Sequence, residues 1–155
     1  MARLVHSIEI AAPIDRVAAF FVPQRMIYWY GVGMNAELEV LGGAADFADG
    51  QKVRLAGRVA GREVSITAVV TRYAPMQMLE WRFRDAHGVR GTQRWDLETA
   101  RVAGREATRV VMLDDYEFPG RVGKLWDRLV MQHAVARRNR DTLTRLKRLA
   151  ERSAE

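Results

Sequence analysis

Apolar Leu4, Ile8 and Ile10 alternate with polar Ser7 and Glu9 at the start of the chain, the period of two that a half-buried strand requires. Helix signals follow at once. Pro13 suits a first helical turn, where its missing N–H costs nothing, and the Asp15 carboxylate complements the helix dipole. This predicts a short helix carrying Val17, Phe20 and Phe21 up to Pro23, then a second helical piece from Gln24 to Tyr30, ended by a turn at Gly31 and Gly33. From Met34 the period returns to two. Leu38 and Val40 alternate with Glu37 and Glu39; Val53, Leu55 and Val59 with Lys52, Arg54 and Arg58; and, after a tight turn at Ala60-Gly61, Val64, Ile66, Ala68 and Val70 with Glu63, Ser65 and Thr67. Leu79, Trp81 and Phe83, then Val89, Gly91, Gln93, Trp95 and Leu97, repeat the pattern against charged and polar neighbours. One-sided alternation predicts an antiparallel sheet with one wet face. In the last strand, Thr108 to Tyr116, Val110 to Leu113 are all apolar, and we assign Val110, Met112, Asp114 and Tyr116 to the inward face.

A long helix is predicted from Pro119 to about Glu151. Val122, Leu125, Trp126, Leu129, His133, Ala136 and Leu143 recur at three- and four-residue spacing as one apolar stripe, broken at Arg140, with Leu146 and Leu149 drifting round the helix below it. Trp126 and Leu129 are expected to be buried against the sheet. A helix is ~10 Å wide, whereas seven strands at ~4.8 Å spacing span about 30 Å, so one helix covers such a sheet only if the sheet curls around it. The expected fold class is α+β in a single domain, residues 1–155: a seven-stranded antiparallel curved sheet wrapped around the long C-terminal helix, with two short helices between strands one and two.

This order of elements, the segment Ile8-Glu9-Ile10-Ala11-Ala12-Pro13-Ile14-Asp15-Arg16-Val17 and the position of Trp29 after the second helix together resemble the START-like, Bet v 1-like helix-grip superfamily (SRPBCC). That superfamily includes the polyketide cyclase and dehydratase-like proteins. The resemblance implies an elongated cavity between sheet and helix. Its motifs here are structural, and no catalytic motif of the superfamily matches residue by residue.

A cavity also follows from the excess of apolar wall over cover. Phe20, Phe21 and the Tyr28 to Tyr30 segment fill part of it, and the remainder is expected to take an apolar guest. The ligand-binding candidates are Leu55, Ile66, Trp81, Phe83, Gln93, Trp95, Met112, Asp114, Tyr116, Trp126, Leu129 and His133. The aromatic ones are equally explained as plain core, since each buries ~150–250 Å². His133, Asp114 and Tyr116 are the catalytic candidates. A histidine suits acid or base work near neutral pH, but His133 also reads as a core residue bonded to a backbone carbonyl. Asp114, if inward, must pair, accept hydrogen bonds or touch cavity water. Tyr116 and Gln93 would orient a carbonyl or hydroxyl, or serve the structure alone. At most two of the three catalytic candidates are expected to share a volume.

Composition removes several classes. The chain has no cysteine, which excludes disulfides, thiolate nucleophiles and cysteine-bound metal. His6, His87 and His133 fall on separate predicted elements, and Asp46 and Asp49 fall short of a calcium loop. No Gly-x-Ser-x-Gly occurs. No metal and no cofactor is expected. The N-terminus lacks an apolar stretch of signal-peptide length and no window approaches the roughly 20 apolar residues of a membrane span. A cytoplasmic protein without membrane insertion, monomeric or homodimeric, is expected. The net charge of +6 raises nucleic acid or an anionic surface as a partner. The arginines are nevertheless spread over nearly every segment, so no nucleic-acid partner is expected. The densest basic stretch, Arg137, Arg138, Arg140, Arg145, Lys147, Arg148 and Arg152, is either a solvated helix face or the seat of an anionic partner. Three functions stay open: a binder of a hydrophobic lipid, quinone or polyketide-like molecule, a cyclase or aromatase acting by general acid–base assistance, and an interaction module using the basic helix. Fold alone does not choose among them.

Overall fold

A computed structural model describes residues 2–30, 37–40, 45–59, 62–85, 88–117 and 125–153, with side chains at all of these except 37–40, 57–59, 62, 64, 125–128 and 131. The elements are β1 (Ala2–Ile10), α1 (Ile14–Ala18), α2 (Pro23–Met26), β2 (Glu37–Val40), β3 (Lys52–Val59), β4 (Arg62–Ala74), β5 (Met78–Asp85), β6 (Arg90–Val102), β7 (Arg105–Glu117) and α3 (Leu125–Ser153). The strands form one seven-stranded sheet in the order β1-β7-β6-β5-β4-β3-β2. Every neighbouring pair is antiparallel. The helix-grip architecture expected from the alternation is therefore present. The second short helix stops at Met26, and Ile27 to Tyr30 form a turn where a longer helix was expected. The expected helix start at Pro119, the turn at Ala60-Gly61 and the glycines Gly31 and Gly33 lie outside the described residues.

Two backbone devices bend the sheet. Ala103 and Gly104, with φ of 50° and 76°, make the tight turn between β6 and β7, and consecutive positive φ values give a hairpin the right-handed twist of its strands. In β4 the register shifts between Val70 and Arg72, a bulge that sharpens the local twist. The inward assignment for β7 holds, with Thr108, Val110, Met112, Asp114 and Tyr116 all buried.

The helix stripe differs from the sequence reading. Asn139, Thr142, Leu143, Leu146 and Ala150 are buried, whereas Leu129 is 47% exposed and His133 is also exposed. Leu129 is not packed against the sheet, and His133 is not on the buried stripe. The physical reason is a rotation of the helix that turns Asn139, and not Arg140, inward. Asp114 lies buried opposite and needs a donor, which the Asn139 amide supplies.

The far end of α3 is pinned. Lys147 donates to the Glu9 carbonyl at 2.8 Å, the Ala11 N–H donates to Glu151 at 2.9 Å, and Arg16 donates to the Ser153 carbonyl at 2.5 Å. Around this end Ile10, Val17, Phe21, Trp29, Leu146 and Ala150 form closed core. At the opposite end, where β1 begins and β3, β5 and β7 finish, the inward Leu4, His6 and Phe83 are only half-buried. Among the described residues, the interior is thus closely packed at one end and only half-buried at the other.

Candidate functional site

Three inward rows cross the sheet toward the incompletely covered end. Leu79, Trp95, Met112 and His6 pair across β5, β6, β7 and β1; Trp81, Gln93, Asp114 and Leu4 form the next row; Phe83, Gly91, Tyr116 and Ala2 the last. The middle row is polar because its members satisfy one another. The Trp81 indole N–H, a donor only, donates to Gln93 Oε1 at 2.9 Å, and the Tyr30 hydroxyl donates to the same oxygen at 2.7 Å. Gln93 must therefore turn its NH₂ the other way, and Nε2 donates to Asp114 Oδ2 at 3.4 Å. From α3, Asn139 Nδ2 donates to Asp114 Oδ2 at 2.8 Å while its Oδ1 accepts from Arg138 at 3.2 Å. Arg138 also stands 3.7 Å from Asp114 Oδ2.

Asp114 Oδ1 is equally buried and meets no hydrogen-bond donor among the described residues. Burial raises the Asp114 carboxyl above its ordinary range, and the opposing effects of Arg138, Asn139, Gln93 and His6 are smaller. Because Oδ2 already accepts N–H groups, Oδ1 is the oxygen that takes the proton when Asp114 is protonated. The acid then becomes a donor aimed into the interior. Tyr116, two residues along the same strand face, has its hydroxyl pKa raised first by burial and then by the Asp114 charge. His6 is held below the ordinary imidazole value by burial and Arg140, against the pull of Asp114. A carboxyl and a phenol raised by burial and an imidazole lowered by it thus belong to one electrostatic neighbourhood.

The apolar wall is lined on the inside by the chain's own rings. Trp81 and Trp95 are 4.9 Å apart between centroids, and Tyr30 lies edge-on to both at 5.6 and 5.7 Å. Trp29 approaches Trp95 at 6.3 Å, with Phe21 at 4.9 Å from Trp29, and Phe47 covers Trp81 at 6.2 Å. Leu55, Trp81, Trp95 and Met112 are accordingly fully buried, and Ile66 nearly so. Tyr28, expected to fill this wall, is exposed. Of the ligand-binding candidates, Phe83, Gln93, Asp114 and Tyr116 sit at the incompletely covered end, Leu129 and His133 are exposed, and the Trp126 side chain is outside the described residues. Asp114 and Tyr116 come together and His133 does not join them.

Sequence reading passed over Tyr30's hydroxyl, His6, Arg138 and Asn139 as parts of this cluster. His6 carried a signal, since it shares the parity of Leu4 and Ile8. Asn139 carried one too, lying four residues before Leu143 and seven before Leu146. A separate concavity of about 620 Å³ lies on the outer face behind these rows, lined by outward Thr67, Arg82, Arg84 and Thr92 and touching Phe83 and Tyr116. Among the described residues no cluster of His, Asp and Glu suits a metal ion, and no described helix is long and apolar enough to cross a membrane.

The Tyr30 hydroxyl is raised to about 12, mainly by burial. For an acid the neutral form is favoured in the folded state, so the folded protein binds more protons than the unfolded chain between pH 10 and about 12. Its stability is expected to fall with rising pH across that window. Tyr30→Phe should remove this slope and cost about 1 kcal/mol at neutral pH, since Gln93 Oε1 keeps its Trp81 donor. Urea unfolding of both proteins at pH 8 and pH 11 checks this, and equal slopes would show that Tyr30 ionises freely.

The family model described as polyketide cyclase / dehydrase and lipid transport matches residues 1–151. None of the curated proteins matches the chain. Among solved structures, the Zhui aromatase/cyclase from Streptomyces sp. R1128 is similar with a TM-score of 0.79 at 22% identity, over 99% of this chain and 96% of that one. The protein TTHA0849 from Thermus thermophilus gives a TM-score of 0.74 at 18% identity over 99% of this chain and 100% of that one. DynU16, a putative protein in the dynemicin biosynthetic locus, gives 0.66 at 23% identity over 98% of this chain. The chain spans 48% of DynU16's length. At these identities the likeness establishes the fold.

Proposed function

We propose, as the role of a chain that belongs to the polyketide cyclase / dehydrase and lipid transport family, that it binds a hydrophobic, carbonyl-bearing small molecule at the incompletely covered end of the sheet–helix interior. The observation that carries this reading is Asp114 Oδ1, buried without a donor or acceptor among the described residues while the neighbouring amides and Arg138 are all directed at Oδ2. Leaving such a group unmatched costs free energy that a ligand oxygen would recover. Phe83, Leu4 and His6, inward yet half-covered, supply the adjoining surface. The fitting class is a quinone, an aromatic polyketide-like compound or a lipid whose polar head reaches Asp114.

A second reading, a cyclase or dehydrase, is favoured by the raised pKa of Asp114 together with Tyr116 and His6 nearby. In it, Asp114 Oδ1–H hydrogen-bonds a substrate carbonyl oxygen while His6 takes a proton from the adjacent carbon. The resulting enolate, held by the Asp114 hydrogen bond, then attacks a second carbonyl whose oxygen takes the proton back from the His6 imidazolium, or expels a β-hydroxyl that leaves as water with that same proton.

Asp114→Asn separates the two readings, because the asparagine can place an N–H donor where Oδ1–H stood but cannot transfer a proton. Tryptophan emission of the whole protein, titrated with a naphthoquinone, a polycyclic aromatic ketone and a fatty acid, is expected to saturate at micromolar ligand. The variant should bind within severalfold of the parent, and any turnover should fall by about 10²–10⁴. Absence of saturable binding for all three probes, with none co-purifying in native mass spectrometry, would overturn the binding reading.

A further inference from the structure

The exposed face of α3 is the most strongly charged surface that the site leaves unused. At 100° per residue, Val130, His133, Arg137, Arg140, Asp141, Thr144, Arg145, Arg148 and Arg152 fall within one arc of the helix, and all are exposed. Among the described residues, Arg137, Arg145, Arg148 and Arg152 have no ion-pair partner, and Arg140 donates to the Ala136 carbonyl of its own helix and has only the like-signed influence on His6 besides. Asp141 is the sole acidic residue in the arc. From Arg137 to Arg152 the ridge extends roughly 22 Å at ~1.5 Å per residue.

Such a row is costly to leave unopposed. Like charges at i, i+4 and i, i+3 spacing repel, and the sequence offers the helix few exposed acids to offset them. The concavities formed by described residues are not lined by α3, so among these residues none seats an individual side chain of a protein partner on the ridge. Among its described side chains the His133 imidazole is the one ring on which a base would stack, fewer than the successive rings that a single strand tracks. At its N-terminal end it runs into exposed apolar Leu129 and Val130, at 47% and 55% exposure. These lie about 15 Å along the helix from Asn139, away from the sealed core and on the side where the interior is incompletely covered. A straight basic ridge ending in an apolar tip fits a flat anionic surface with an apolar layer beneath it.

We propose that α3 docks on a membrane surface bearing anionic lipid headgroups, with Arg137, Arg140, Arg145, Arg148 and Arg152 against the headgroups and Leu129 and Val130 dipping below them. The docking stands whether or not the interior binds a ligand. Each arginine near such a surface is worth roughly fivefold in partitioning, and the attraction dies away within a Debye length.

The test is sedimentation of the full chain with vesicles of phosphatidylcholine alone and of phosphatidylcholine with about 30% phosphatidylglycerol. Binding at least tenfold stronger to the anionic vesicles, lost at about 0.5 M salt, is expected. Arg137→Glu with Arg148→Glu should abolish it at unchanged circular dichroism and melting temperature, while Arg54→Glu with Arg82→Glu, on the outer sheet face, should leave at least half of it. Equal loss from both pairs would show that net charge and not the ridge is responsible, and would overturn the proposal. So would binding of a single-stranded RNA or an acidic protein that the ridge variant loses while the parent ignores vesicles.

Discussion

Gly91→Ala is expected to unfold or severely weaken the protein. A Cβ at Gly91 would stand 2.0 Å from the Asp115 carbonyl oxygen, 2.7 Å from Tyr116 Cα and 2.9 Å from Tyr116 Cβ. All three belong to β7 directly opposite, where Gly91 pairs Tyr116 and Thr92 pairs Asp115. Backbone cannot swing aside as the tip of a side chain can, so β6 and β7 must part. Overpacking in a yielding core costs about 1–3 kcal/mol; here the cost should exceed about 3 kcal/mol, a fall in melting temperature of roughly 6–12 °C or more for a chain of this size. Thermal unfolding followed by circular dichroism measures it directly. An unchanged melting temperature would mean that the close approach of β6 and β7 at Gly91 is not a requirement of the fold. The substitution also displaces Tyr116, so ligand binding should weaken in whatever fraction remains folded.

Asp114→Ala should be nearly as damaging, for an electrostatic reason. Asp114 is 1% exposed, and its removal strands Arg138, Asn139 and Gln93, each of which now points a donor at Oδ2. Breaking a buried pair by deleting one partner costs about 3–5 kcal/mol. Asp114→Asn keeps an acceptor for those donors and should cost far less. The two variants also differ from the parent in pH dependence. The folded-state pKa of Asp114 is raised above its ordinary 3.8, so over the window from 3.8 upward the folded protein holds a proton that the unfolded chain has lost. Stability contributed by this group is full below 3.8 and declines as pH rises toward the folded pKa. Asp114→Asn carries no such decline, and its stability relative to the parent should improve from pH 4 upward and then level off. Urea midpoints at pH 4, 5.5 and 7 provide the check, and a difference that runs the opposite way would show that Arg138 and the amides outweigh burial.

The sheet was legible because its physics is one-sided: the strands from Lys52 to Leu97 place mostly Arg, Glu and Thr at water-facing positions and mostly Leu, Val and Trp at the alternate ones, whereas the last strand keeps Val111 and Leu113 outward. Parity even assigned Asp114 and Tyr116 to the interior, where the structure has them. Parity would also have assigned His6, had its neighbours Leu4 and Ile8 been given weight over its polarity. The helix was harder. Its inward face carries polar Asn139 and Thr142, the first of them the donor that buried Asp114 needs, while its outward face carries apolar Leu129 and Val130. A hydrophobicity stripe misreads both substitutions of polar for apolar and lands one residue off, on Arg140. What no periodicity can show is pairing across elements. That Tyr30, Gln93, Asp114 and Asn139 form one chain of hydrogen bonds depends on four segments meeting, and only the assembled fold brings them together.

The sheet order carries a consequence for how the protein is made. β1 has a single neighbour, β7, and Ala2 pairs with Tyr116. The meander from β2 to β7 can zip up hairpin by hairpin as it is synthesised, each strand finding its partner just behind it. β1, made before all of them, cannot. It must wait, with its backbone N–H and C=O groups unmatched, until β7 exists, and α3, whose Lys147 clasps Glu9, comes later still. Closing so long a loop is slow, and an unpaired strand is the kind of segment that other chains seize. The strand made before the meander is thus among the last to find its place, and the interior is completed only when β1, β7 and α3 meet.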